Sequence, residues 1–224
     1  MHSCIRRCPV TVALVAVLAI TAPLRGQQDN PVYVDDSPQA WELFRRAADQ
    51  SRDNTAEAVR LYQELLDDFA LKLIPVRENE PDQFQCVRLR VLHALQGDAN
   101  LLERYRLIQT AEAQRLLDAE RLEDLAMTRS LTEPGLEALL MLAQRDLESA
   151  RFWMALSWLD QALTHPDLAG RRAAHAWYMT GLAAHHVNQT AQQAAAREAL
   201  AKLGSDGAVF VQQLDALAAD VQTP

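Results

Sequence analysis

Helix breakers are scarce in this chain, and they fall at the ends of Ala/Leu-rich segments whose apolar residues return every three or four positions. The 224 residues hold only seven Gly and nine Pro, and an apolar period near 3.6 turns one stripe of each segment toward a core. The pattern predicts helices near 38–52, 55–70, 82–96, 100–119 (which Thr110 could interrupt), 121–128, 134–149, 151–164, 171–187, 190–203 and 207–220. No run alternates with period two, so an all-α chain without a sheet is expected. The stretch "KLIPV" at 72–76 looks extended, but Pro75 lacks a ladder donor and favours a connector.

End signals agree with this map. Ser37 before Pro38 has the form of an N-cap with proline at the first helical position. Asn54 with Glu57, Asn100 with Glu103 and Thr190 with Gln193 have capping-box spacing, in which each side chain bonds the other's free backbone N–H. Ser205 or Asp206 suits a further N-cap in "GSDG". Gly97, Gly170 and Gly204 sit where helices should stop in the left-handed conformation.

The N-terminus carries a different pattern. Arg6 and Arg7 precede the apolar run Val10–Ala22, and Gly26 closes it. A run this short falls below the about 20 apolar residues that span a bilayer, so residues 1–26 read as a secretory signal peptide. Cys4 and Cys8 precede the run and are not placed to carry a lipid anchor. Cleavage would leave Cys86 alone, with no intramolecular disulfide. Residues 27–36, "QQDNPVYVDD", lack helical period and are expected as an exposed leader. The remaining domain would span 37–224, about the size of one continuous core.

Charge narrows the partners. The signal peptide holds Arg6, Arg7 and Arg25 and no acid, which leaves 19 basic against 30 acidic residues, a net charge of −11, in the exported chain. Nucleic acid and anionic membranes select clustered positive charge, so neither is expected as a partner.

Self-similarity follows the helix pairs. In "LLMLAQRDLESARFWMALSWLDQALTHP", Phe152 precedes Ala155 by three, Leu159 lies between Ala155 and Ala162, and Pro166 closes the unit, after Leu139, Leu142 and Ala143 on the preceding helix. The next pair has Trp177 and Gly181, then Ala194 and Ala201. The first pair offers Trp41 and Phe44, then Ala58, Tyr62 and Leu65, with Ala70 at the closing position. These spacings resemble the tetratricopeptide repeat, a 34-residue helix-turn-helix unit, although Asp146 stands where that family usually has Tyr. The resemblance implies antiparallel helix pairs stacked as a short solenoid, with small residues where helices approach. Residues 71–130 fit it poorly and would be a divergent repeat or an insert of other helices.

The run from "NPVYVDDSPQAWELFRRA" to "HPDLAGRRA" is also similar to the exported helical region that precedes a PQQ-binding-like β-propeller in large planctomycete-type envelope proteins. Nothing like propeller blades follows before Pro224, so no propeller-borne activity is carried over. That implies a stand-alone or truncated relative.

Residues suited to catalysis are not arranged for it. Adjacent His185 and His186 point about 100° apart on a helix, and His175 and His186 stand roughly 16 Å apart. Cys86 in "FQCVRLRVL" reads as a small core residue of a helix, and no G-x-S-x-G elbow or Gly-rich phosphate loop occurs. Asn188-Gln189-Thr190 is a formal glycosylation sequon, but capping by Thr190 accounts for it. No cofactor or metal is expected.

The expectation is therefore an exported scaffold, periplasmic or extracellular in a bacterium, that binds another envelope protein without catalysis. The alternative is a structural spacer with no specific ligand. Gln144, Arg145, Glu148, Tyr178, His185 and His186 are the candidate partner-facing residues of the inner surface, joined by Trp153 at the edge of a packing stripe. Trp158 is expected to cover a seam between repeats, and His165 and Pro166 to end their helix.

Overall fold

The computed structural model describes residues 35–77 and 80–220, with the side chains of 80–82 and 218–220 left aside. The expected signal peptide, Cys4, Cys8 and residues 27–34 of the expected leader lie outside the described residues. The described chain is mostly helical: α1 (Pro38–Asp53), α2 (Thr55–Asp68), β1 (Leu73–Arg77), β2 (Glu80–Cys86), α3 (Val87–Gln96), α4 (Ala99–Asp118), α5 (Leu122–Thr128), α6 (Glu133–Glu148), α7 (Phe152–Leu163), α8 (Gly170–His186), α9 (Thr190–Lys202) and α10 (Ser205–Asp220).

The hairpin of β1 and β2 corrects the expectation of no sheet. It is antiparallel, pairing Leu73 with Cys86, Ile74 with Gln85 and Pro75 with Phe84, and its register shifts between Pro75 and Arg77. Ile74 is buried and the rest of β1 is half-buried or exposed, so the strand buries too little to print a two-residue period on the sequence. "EPDQFQC" in β2 is polar enough to look like a helix start, and α3 accordingly begins at Val87, not at residue 82. Cys86 is thus not inside a helix. It ends β2, is half-buried, and its Sγ–H donates to the Ala70 carbonyl at 2.9 Å. Asp36 forms a parallel bridge with Leu73, and Asp35 pairs with Lys72 at 2.7 Å, so the last two residues of the expected leader are pinned to β1.

Several end signals hold and others move. The Ser37 side chain accepts from Ala40 N–H, and Asn54 accepts from Glu57 N–H. Asp98, not Asn100, caps α4 by accepting from the Asn100 and Leu101 N–H groups. That helix runs unbroken through Thr110, whose hydroxyl turns back onto the Arg106 carbonyl. Thr190 caps nothing: Gln189 stands at the N-cap of α9 without a side-chain bond. α10 starts at once at Ser205, so Ser205 and Asp206 lie in its first turn. Gly204 has φ +59° just past α9 as expected; Gly170 is also left-handed, at φ +54°, but opens α8, and Gly97 stays right-handed.

Three turns share one design. Glu120, Ala150 and Asn188 are left-handed, with φ of 55°, 56° and 59°. In each the next residue's N–H reaches back to a carbonyl of the finished helix: Arg121 to Leu116, Arg151 to Asp146 and Gln189 to Ala184, at 2.7–2.9 Å. This is the Schellman closure, and the partner helix starts one residue later in all three cases. The pair α4–α5 therefore turns as α6–α7 and α8–α9 do, although its sequence carries none of the repeat residues.

Packing follows chain order. α6, α7, α8, α9 and α10 each pack on the next, and α4, α6, α8 and α10 also meet at every second step. The apolar core divides accordingly. One cluster lies around Phe44, Tyr62, Ile74 and Tyr105, and another around Leu125, Leu136 and Leu142. Two more gather about Leu159 with Met179, and about Leu200 with Leu214. Ala155, Ala162 and Gly181 are buried at close approaches, but Ala194 and Ala201 face solvent while Ala196 and Leu200 take the buried positions of α9. The two small positions assigned to that helix from its alanines are therefore not its buried positions, which stand four apart, not seven.

Candidate binding groove

Two adjoining concavities of about 230 and 390 Å³ run from the α5–α6 junction across α3 and α7 to the start of α9. They share Arg88, Leu89, Asp160 and Gln161. Leu92, Leu131 and Leu139 give the smaller one its apolar lining, and Trp153 and Leu156 line the larger. Leu89, Trp153 and Met154 are 45%, 61% and 49% exposed, large apolar side chains left uncovered beside a concave surface.

Arg88 is built into this place by helix ends. It stands in the first turn of α3 and is 7% exposed, and its Nε and Nη2 donate to the Met127 and Ala126 carbonyls at 2.9 Å. Those carbonyls belong to the last turn of the seven-residue α5, where no intrahelical donor remains for them and the dipole favours a cation. Nη2 also donates to Gln161 Oε1 on α7. Burial pulls the guanidinium's pKa below its ordinary value.

Asp160, on α7, accepts from Gln192 Nε2 of α9 at 3.3 Å, and partial burial raises its pKa. His165 lies deeper. It is 5% exposed, its Nδ1 accepts from Asp167 N–H at 3.1 Å, and burial lowers its pKa although Asp167 and the Leu131 and Thr132 carbonyls favour the charged ring.

The residues proposed from sequence do not converge on one site. Gln144 and Glu148 are exposed on α6 and hydrogen-bond to each other at 2.9 Å, and Arg145 is ion-paired to Glu123 of α5. Tyr178 is half-buried and stacks on Phe210 of α10, with ring centroids 4.9 Å apart. His186 stacks at 4.4 Å on Phe152, the residue before Trp153, and His185 lies beside it at 5.5 Å, within 3.4 Å of Gln193 Nε2. Only Trp153 lines the groove.

The sequence reading passed over Arg88, Ser130, Asp160 and Gln161, which chain order scatters over three elements. One signal was present: an arginine second in the apolar helix "VRLRVLHAL" must reach a partner or water. A wider trough of about 890 Å³ over α4 and Thr55 exposes Leu107, but the charged residues lining it are Glu103, Arg104 and Arg106, and Arg106 is committed to Asp167. Among the described residues no group of three His, Cys, Asp or Glu is placed to hold a metal, and no helix is long and apolar enough to cross a membrane. No family model, curated protein or solved structure matches this chain.

Proposed function

We propose that this chain is an exported helical-repeat scaffold of tetratricopeptide type that acts by binding an envelope protein, not by catalysis. The recurrent Schellman turn and the packing of α4, α6, α8 and α10 at every second step support the solenoid reading, because each helix pair then buries its apolar face on the next. Val10–Ala22 behind Arg6 and Arg7 supports export.

The observation that carries the binding reading is that two exposed apolar side chains, Trp153 of α7 and Leu89 of α3, line the same groove. Tryptophan contributes large contact area at low conformational cost and is enriched among residues that dominate interface energies. The partner would meet Trp153 and Leu89 and hydrogen-bond to Gln189 and Gln192.

Immobilised exported chain, its Trp153→Ala variant and an unrelated acidic helical protein would be exposed in parallel to the native envelope extract. A partner retained by the wild type and lost by the variant, with unchanged helical circular dichroism, is the expected result. If the wild type enriches nothing beyond the acidic control, the chain is a spacer.

A further inference from the structure

We propose that the smaller pocket, between α3, the Ser130–Leu131 turn and α7, binds a free α-amino acid with an aliphatic side chain, its carboxylate on Arg88 and Ser130 and its ammonium toward Asp160. This inference does not rest on the scaffold reading, and its readout is separate from partner capture.

Three observations meet there. The acceptors on Arg88 are all neutral, two helix-end carbonyls and one amide, and Nη1 has no hydrogen-bond partner among the described residues. Nη1 is not among the atoms sealed from solvent without a partner, so it opens on the pocket, and a guanidinium takes a carboxylate there more strongly than it takes a neutral acceptor. Ser130 is 5% exposed and lines the same pocket, and its hydroxyl makes no hydrogen bond among the described residues. That oxygen is not among the atoms sealed from solvent without a partner, so it opens into the pocket as a free donor on the same lining as the cation.

Asp160 supplies the opposite sign. It lines the same pocket as Arg88, yet the two form no ion pair among the described residues, and the carboxylate's one hydrogen bond is the 3.3 Å contact from Gln192. A buried cation and an exposed anion that line one cavity without pairing to each other fit a ligand carrying both charges. A simple carboxylate would face Asp160 without compensation, and a simple amine would face Arg88. The apolar lining of Leu92, Leu131 and Leu139 suits an aliphatic side chain. A volume of about 230 Å³ lies below the roughly 300–1,000 Å³ of drug-sized sites and suits a molecule of amino-acid size.

Isothermal titration of the exported chain with L-leucine, 4-methylpentanoate and 3-methylbutylamine separates the charges, because the last two each lack one. Saturable leucine binding is expected, with each analogue weaker by roughly tenfold or more, the loss of one charge-assisted contact. Asp160→Asn should lower leucine affinity while leaving 4-methylpentanoate equal or tighter, and Ser130→Ala should weaken leucine and 4-methylpentanoate alike. Both variants leave the bonds of Arg88 to α5 in place, so folding is checked by an unchanged melting temperature. No saturable leucine binding to the wild type, or unaltered leucine affinity in both variants, overturns the assignment.

Discussion

The indole Nε1–H of Trp158 donates to Asp146 Oδ2 at 3.0 Å, tying α7 to α6 through a carboxylate that is 3% exposed. Arg151, at the turn between the two helices, donates to the other oxygen of the same carboxylate from Nε and Nη2. Asp146 thus clamps the turn and the helix beyond it, and Trp158, expected from sequence to cover a seam between repeats, makes this bond within one helix pair. Asp146→Ala leaves the indole N–H and the guanidinium without their acceptor and should cost about 2–4 kcal/mol. Chemical denaturation followed by tryptophan fluorescence measures it, and a loss below about 0.5 kcal/mol, the scale of ordinary surface changes, would refute the clamp.

The left-handed turns hold residues that are uncomfortable there. Ala150, at φ 56°, takes a conformation that costs an L-residue about 1–2 kcal/mol, part of which glycine gives back in unfolded-state entropy. Ala150→Gly should therefore raise stability by up to about 1 kcal/mol. Glu120→Gly should act in the same direction, because its turn has the same bonds. Thermal melts of both variants check this, and a fall in melting temperature contradicts the strain.

Gly207 lets the start of α10 lie directly against the backbone at the end of α9. A Cβ there would stand 1.9 Å from the Leu200 carbonyl oxygen, and that atom is backbone and has no rotamer with which to move aside. Gly207→Ala must displace α10 from α9 and should cost about 1–3 kcal/mol, the range for overpacking. Hydrogen exchange is the discriminating measurement: protection should drop in α9 and α10 and hold in α1 and α2.

His165 makes stability depend on pH with a definite sign. Its folded pKa lies below the ordinary 6.5, chiefly through burial, so the unfolded chain binds the proton more tightly. Stability from this group is present above about 6.5 and is lost as pH falls through the lower, folded value. Melting temperatures recorded between pH 7.5 and 5.0 should fall more steeply in the wild type than in His165→Asn, which keeps an acceptor for Asp167 N–H. Parallel curves would show that the ring binds its proton equally in the folded and unfolded chain, and would contradict a lowered folded pKa.

What the sequence determined is local. Helical period, the Ser37 and Asn54 caps and the break after Gly204 are encoded within a few residues of where they act, so the helical segments were legible, most of them to within two or three residues. The β1–β2 hairpin was not, because its polar outer strand carries no period of its own and is fixed by pairing with Leu73, Ile74, Pro75 and Arg77. Turn chemistry was partly hidden as well. Glu120 and Ala150 are not residues that advertise a left-handed conformation, and only the bonds back to Leu116 and Asp146 hold them in it.

The groove was decided by tertiary structure alone. Arg88, Ser130 and Asp160 lie 42 and 30 residues apart in sequence and meet because the short α5 offers its C-terminal carbonyls to α3 while α7 packs against α6. Sequence could place Trp153 at the margin of a packing stripe. That Leu89 shares a wall with it, and that a buried arginine beneath them lacks a carboxylate, follows only from how the helices stack: burial and charge pairing are properties of neighbours in space.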